Sequence, residues 1–275
     1  MAHVTLTGNL RQFTGGIAEL DIDAATVNQL FRRLAAQVLV LLAAVAAVVG
    51  APASARAQVA VDVQLVLAVD VSGSVSDERF RLQQKGYAQA FRNWRLLEAI
   101  RSGTSRAIAV TMTQWTGPAQ QQVVVKWMVI SDEASMLAFA DAVERTSREL
   151  YGGGTSISGA IDHAMTLFPL LDVTAGRRVI DVSGDGANNR GRPAAEARDA
   201  AVKAGVTING LPILALEPHL DQYYMNNVIG GPNAFMIVAE TFETFAEAVL
   251  KKLITEISAA PDEDRPGEAA SPPDP

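Results

Sequence analysis

The chain has no cysteine, which excludes a disulfide scaffold, a thiolate zinc site, a thiol nucleophile and an iron–sulfur cluster. Histidine is nearly as scarce. His3, His163 and His219 lie far apart in sequence, which argues against a histidine-rich metal centre. Basic residues are in deficit, with 23 Lys and Arg against 30 Asp and Glu and a formal charge of −7. No bulk positive surface is available to neutralise phosphates, so nucleic acid is not an expected partner. Charged residues make up only 19% of the chain and hydrophobic ones 49%, a balance of neither a disordered nor a multi-span membrane protein. What chemistry there is must use carboxylates and hydroxyls. The 275 residues suffice for one large α/β domain with appendages.

The appendages are legible at both ends. An uncharged apolar run at 34–50 follows Arg32 and Arg33 and precedes Ala55-Arg56-Ala57. A positive flank, an apolar core and an A-x-A sequence in that order read as a secretory signal, with the mature chain starting at Gln58. The run is also near the roughly 17 to 25 residues that span a bilayer, so an uncleaved anchor is the alternative. Either way the domain is expected outside the cytoplasm, periplasmic or extracellular, touching a membrane only through this segment. The sequence therefore divides into an extension at 1–31, an export segment at 32–57, a main domain at 58–260 and a tail at 261–275. In the extension, 4–10 and 16–22 read as strands and 25–34 as the start of a helix. Residues 1–35 resemble the first half of a ubiquitin-like β-grasp sulfur carrier. The second half of that fold is missing and the chain closes on Pro-Asp-Pro instead of Gly-Gly, so the extension is expected to carry no function. The tail sets Asp262, Glu263, Asp264, Glu268 and Asp274 against Arg265 and holds no large apolar residue, as a solvated segment does.

From Val61 onward, β-rich runs alternate with amphipathic segments, the pattern of a doubly wound, mostly parallel sheet with helices on both faces. Six strands are predicted, at 61–69, 107–114, 122–129, 178–183, 207–213 and 234–238. Helices are predicted at 76–100, 133–150, 158–168, 193–204, 222–228 and 241–257. The Gly117-Pro118 connection is too short for a crossover, so the second and third strands must form an antiparallel hairpin at one edge.

In such sheets ligands gather at the carboxyl ends of the strands, and two of those ends, with one loop that precedes a helix, carry oxygen donors. The first strand ends at Asp70 and runs into Ser72 and Ser74, a carboxylate followed at two-residue intervals by two hydroxyls. The glycine-rich segment 152–154 leads to Thr155, and the fourth strand ends at Asp185. This set resembles the von Willebrand factor type A domain, whose metal-ion-dependent adhesion site is built from Asp-x-Ser-x-Ser, a distant Thr and a distant Asp. The resemblance spans residues 61–258 and includes the antiparallel edge. The run Val-Ile-Asp-Val-Ser-Gly-Asp-Gly-Ala-Asn-Asn at 179–189 and the export signal are similar to a secreted bacterial branch of unknown function.

The resemblance implies a site for Mg2+, or Mn2+, held by Asp70, Ser72, Ser74, Thr155 and Asp185. Magnesium favours oxygen donors near 2.1 Å, about octahedral, and three neutral hydroxyls would leave the ion able to accept a carboxylate from a protein partner. The competing reading of Ser72 and Ser74 is that they cap the helix beginning near Ser76. It leaves Thr155 and Asp185 unexplained. Gln114 and Trp115, at the end of the second strand, are candidates for a partner-binding rim, as are Asn188, Asn189 and Arg190 after the last carboxylate. Asp181 falls inside a buried strand, where a hydrogen-bonded structural role is expected. His163 reads as an ordinary helix residue.

Enzyme readings find less support. The glycine loop lacks the Lys-Ser/Thr of a phosphate cradle, and no G-x-G-x-x-G follows the first strand. Residues 154–158 miss the last glycine of a G-x-S-x-G elbow, and Ser72 stands where an aspartyl phosphotransferase needs a second carboxylate. The expectation is an exported, non-enzymatic binding module. A metal-dependent hydrolase such as a phosphoesterase, or an envelope structural module with a vestigial metal site, is the alternative.

Overall fold

The computed structural model describes residues 58–259 continuously, together with 2–5, 19–22, 26, 28, 29 and 32. The chain separates into two units, 1–57 and 58–275. In the first, β1 (Ala2–Thr5) pairs antiparallel with β2 (Glu19–Ile22), Ala2 opposite Ile22. The strand β2 falls inside the predicted 16–22, whereas β1 starts before the predicted 4–10. Residues 33–57 of the export segment expected at 32–57, the rest of the β-grasp-like opening and the tail at 261–275 lie outside the described residues. No helix among those described is long and apolar enough to cross a membrane.

The second unit is an α/β domain on a five-stranded sheet, ordered β5-β4-β3-β6-β7. Its strands are β3 (Val59–Asp70), β4 (Ile108–Trp115), β5 (Gln121–Ile130), β6 (Val173–Gly184) and β7 (Thr207–Pro212). Its helices are α1 (Asp77–Ala90), α2 (Trp94–Ser102), α3 (Glu133–Glu144), α4 (Ile157–Leu167), α5 (Ala194–Lys203), α6 (Leu220–Asn227) and α7 (Phe245–Ser258). The strand β3 is parallel to β4 and β6, and β6 to β7. Only β5 runs antiparallel, against β4, as the short turn at Gly117-Pro118 dictates.

The aliphatic run of β3 makes both of its faces buried. Val63, Leu65, Leu67 and Val69 enter one apolar layer with α1, α2, α3 and α7. Val66 and Ala68 enter the other, with α4, α5 and α6. That is the period-2 alternation of a strand sandwiched between helices. All of β4 is buried, whereas β5 is half-exposed, as an edge strand must be.

Of the predicted elements that differ, one belongs to the sheet and one is the first helix. The expected sixth strand at 234–238 is absent from the sheet; the segment meets β7 at one isolated bridge, Gly210 to Met236, and a second, Ile213 to Ala239, lies just beyond both. Two residues account for it. Asn233 takes a positive φ of 54°, and the Phe235 N–H, a donor a ladder could use, goes instead to Asn209 Oδ1 at 2.9 Å. The expected helix at 76–100 is two helices, because Asn93 leaves the helical conformation and caps α2, its Oδ1 accepting from Arg95 N.

Asp181 on β6 is fully buried and has a buried partner from α7. Lys252 Nζ lies 2.8 Å from Asp181 Oδ1 and 2.8 Å from Glu256 Oε2, and Asn209 Nδ2 donates to Glu256 Oε1 at 2.8 Å. Burial pushes the Asp181 carboxyl up to about 6, with Lys252 opposing and Glu256 reinforcing the rise. Nothing in the helical pattern of 241–257 marks Lys252 as an interior residue; β6 supplies the charge that draws it in.

Candidate metal centre

The carboxyl ends of β3, β4 and β6 lie side by side, since Asp70 is in register with Trp115 and Val69 with Ser183. The loop after β3 is folded by its own carboxylate: Asp70 Oδ1 accepts from Ser72 N at 2.7 Å. Ser76 caps α1, its Oγ accepting from Arg79 N. Ser72 and Ser74 are therefore not caps. Their hydroxyl oxygens are 3.1 Å apart, and Ser74 Oγ donates to Asp185 Oδ1 at 2.6 Å. Four of the five expected donor residues are thus joined by direct hydrogen bonds.

Thr155, the fifth, reaches the same place through the glycine loop. Gly152, Gly153 and Gly154 have φ of 69°, 82° and 79°, a left-handed run that only glycine adopts without strain. The loop is tied to the one after β6 by Asn189: Thr155 N donates to its Oδ1 and Thr155 O accepts from its N, both at 2.9 Å. Ser156 caps α4. The Thr155 hydroxyl lies beside the Asp185–Gly186 turn, 3.7 Å from where a Cβ on Gly186 would stand.

The electrostatics of this cluster are unbalanced. Asp70 and Asp185 are 0% and 1% exposed, and Asp70 Oδ2 and Asp185 Oδ2 have no hydrogen-bond partner. Burial, then the charge of Asp185, pushes the Asp70 carboxyl up to about 7, against the hydrogen bond from Ser72. Burial likewise raises Asp185, opposed by Ser74 and Arg79. The cation beside them is Arg79, whose guanidinium stands 3.7 Å from Asp185 Oδ2, donates to Ser74 O at 2.8 Å and lies over the Phe242 ring. Two buried carboxylates with free lone pairs, two adjoining serine hydroxyls and a threonine fit a hard divalent cation, which prefers oxygen and supplies the missing charge. A Cβ on Gly184 would stand 2.9 Å from Asp70 Oδ2, so glycine keeps that side of the carboxylate clear. Among the described residues no group of three or more His, Asp and Glu side chains is placed to hold a metal ion. A metal ion held here would need hydroxyls to complete its donor set.

The expected rim divides. Trp115 is fully buried in the layer beneath α4 and α5, because the end of a central strand is covered on that face. It is not a rim residue. Gln114 is also buried, its Nε2 donating to Ser147 O and its Oε1 accepting from Glu149 N, so it fastens a loop instead of meeting a partner. Asn188 and Asn189 serve the loops as well as the edge: Asn188 Oδ1 accepts from Ser158 N at 3.1 Å. Asn189 and Arg190 are exposed at the mouth. His163 is half-buried with Nε2 unpartnered, and burial lowers its pKa; nothing orients it as a base.

Sequence reasoning missed two arginines. Arg79 lies three residues after the cap of α1, where charge has no distinctive pattern. Arg148 donates to Val71 O at 2.9 Å and Ser72 O at 3.0 Å, clamping the serine loop, and its guanidinium stacks 4.5 Å over the exposed Tyr151 ring. It was expected within a helix at 133–150, but α3 ends at Glu144, which frees residues 145–150 to cross the site.

No curated protein matches this chain. Among solved structures, a von Willebrand factor type A protein from Catenulispora acidiphila matches with a TM-score of 0.51 at 18% identity, over 72% of this chain and 43% of that one. Proximal thread matrix protein 1 from the mussel byssus, with a zinc-occupied MIDAS motif, matches at 0.50 and 13%, over 73% and 47%. The vWF domain of the type V pili tip protein Mfa5 from Porphyromonas gingivalis matches at 0.52 and 11%, over 72% and 95%. The chain thus covers under half the length of the first two, and the likeness to all three is one of fold. That fold is the von Willebrand factor type A domain, and the family described as Protein of unknown function (DUF1194) matches residues 60–261, so the chain belongs to that family.

Proposed function

We propose that this protein is an exported, metal-dependent binding module of the adhesion type. Mg2+, or Mn2+, would be held by Asp70, Ser72, Ser74, Thr155 and Asp185, and when bound it would offer a Lewis-acidic position to a carboxylate on a protein partner. The observation that carries this reading is the pair of buried carboxylates, each with one oxygen that has no hydrogen-bond partner, converging on the Ser72 and Ser74 hydroxyls. The mouth suits an acidic visitor: Arg79 and Arg190 border it, and both are cations. The pili tip protein and the zinc-occupied byssus protein, which share the fold, agree with such a role. So does the positive-apolar-small order of residues 32–57 with export. We read the module as non-catalytic, because His163 lacks an orienting partner and the carboxylates that adjoin the hydroxyls, Asp70 and Asp185, are assigned to the ion.

Titration calorimetry of the full chain with Mg2+ and Mn2+, after chelation, tests the reading. Binding by wild type that is lost in Asp70→Ala and Ser72→Ala is the expected result. Metal-dependent retention on an aspartate-bearing peptide surface, released by chelator, is expected alongside it. A wild type that binds neither ion would overturn the metal site, and retention indifferent to chelator would overturn its role in binding.

A further inference from the structure

Tyr224 on α6 belongs to no motif, yet it is fully buried and its hydroxyl has no hydrogen-bond partner. Buried hydroxyls are normally paired. The ring is fixed by packing against β7: a Cβ on Gly210 would stand 2.7 Å from its Cδ1. The hydroxyl therefore cannot swing away to find water elsewhere. It faces the space over Gly184, where a Cβ would stand 3.0 Å from Tyr224 Oη and 2.9 Å from Asp70 Oδ2. One oxygen is a donor, the other an acceptor, and both are buried and unpaired. The two oxygens are therefore no farther apart than the sum of those distances, about 5.9 Å, a span that one bridging water covers, and glycine at 184 puts no side chain between them. Burial, and after it the charges of Asp70 and then Asp185, hold the phenol well above its ordinary pKa, so it keeps its proton for donation.

We propose that Tyr224 is a positioning residue of the metal centre, donating to Asp70 Oδ2 through one water seated over Gly184 and so fixing the carboxylate toward the ion. The inference rests on Asp70 being a metal ligand. With Ser72 N on Oδ1 and Tyr224 on Oδ2, the carboxylate is held at both oxygens, as groups behind metal ligands hold them elsewhere. The phenol thus belongs to the far wall of the centre, contributed by a helix that carries none of the five donors.

The test is calorimetry of Mg2+ and Mn2+ with full-length Tyr224→Phe and Gly184→Ala, Ser72→Ala serving as the control that abolishes binding. Tyr224→Phe is expected to weaken metal binding about tenfold while its urea midpoint in chelator stays at or above that of wild type. A merely structural role would move the midpoint and leave affinity alone. Gly184→Ala, which keeps the phenol and fills the space, is expected to lose affinity similarly, and it carries the test if the Phe variant does not fold. Addition of Mg2+ should also perturb the near-ultraviolet tyrosine spectrum of wild type and not that of Tyr224→Phe. Affinities within twofold of wild type in both variants, with Ser72→Ala still abolishing binding, would overturn this inference alone. A wild type that takes up neither ion would overturn it together with the proposed function.

Discussion

Chelated protein should lose stability as pH rises from 5 to 7.5, and Asp70→Asn should lose much less. In the metal-free fold the Asp70 carboxyl is raised to about 7 from an ordinary 3.8, so the folded chain binds that proton more tightly than the unfolded one. The sign follows: the contribution is fully present below pH 3.8 and is lost as pH climbs through 7. At 1.36 kcal/mol per unit, the share falling between pH 5 and 7.5 is about 2 to 3 kcal/mol. Asp181, held to about 6, and Asp185, raised without a stated value, slope the same way in both proteins. Only the difference between wild type and the variant belongs to Asp70. Asparagine keeps an oxygen to accept from Ser72 N and cannot ionise beside Asp185, so the variant should be the more stable of the two in chelator at pH 7.5. Urea midpoints at the two pH values, with chelator and then with Mg2+, measure all of this. Magnesium at a hundred times its dissociation constant should restore about 2.7 kcal/mol to wild type and nothing to the variant. Parallel pH slopes for the two chelated proteins would refute the reasoning, since Asp70 would then be no more costly to ionise in the fold than outside it.

Lys252→Met removes the cation between Asp181 and Glu256 and should cost about 3 to 5 kcal/mol in thermal or urea unfolding, whereas replacing all three charges with apolar residues of similar volume should cost far less. Arg148→Ala releases the carbonyls of Val71 and Ser72 and should weaken Mg2+ binding in calorimetry at a stability cost of about 1 to 3 kcal/mol; lysine should rescue it poorly, because one ammonium does not reproduce the planar fork. Gly153→Ala forces a side chain into φ 82° and a Cβ against Gln120. It should lower the thermal midpoint by an amount corresponding to about 1 to 3 kcal/mol and loosen Thr155, read as reduced metal affinity.

Much of this architecture was legible because its causes are local. The aliphatic run at 61–69 has no stable use except a strand covered on both faces, and a connection as short as Gly117-Pro118 leaves only a hairpin. Asp70, Ser72, Ser74 and Asp185 are legible as residues at strand ends and Thr155 as the residue after a glycine run, and the fold gathers all five at one end of the sheet. What was missed depends on partners distant in sequence. Trp115 looks like a rim residue until α4 and α5 are laid over that face, and Gln114 until residues 147–149 come back to meet it. The sixth strand failed because Asn209, from another element, takes the Phe235 N–H. Arg148 required knowing that α3 stops at Glu144, and Tyr224 required the gap at Gly184, which exists only when β3 and β6 lie side by side.

The two margins of the sheet are finished differently. Beyond β7 the segment around Met236 and Ala239 lies against the strand through scattered backbone bonds, so another chain arriving there would find its docking positions partly taken. Beyond β5 nothing in the described sheet continues the hydrogen-bond ladder, and that strand carries Lys126 pointing outward at its middle and an irregular register against β4 around Met112. A lysine there must be stripped of its water before a second strand can zip alongside, and an uneven ladder offers a poor template. Among the described residues, what disfavours pairing at this margin is thus one charge and one misalignment, not a covering element.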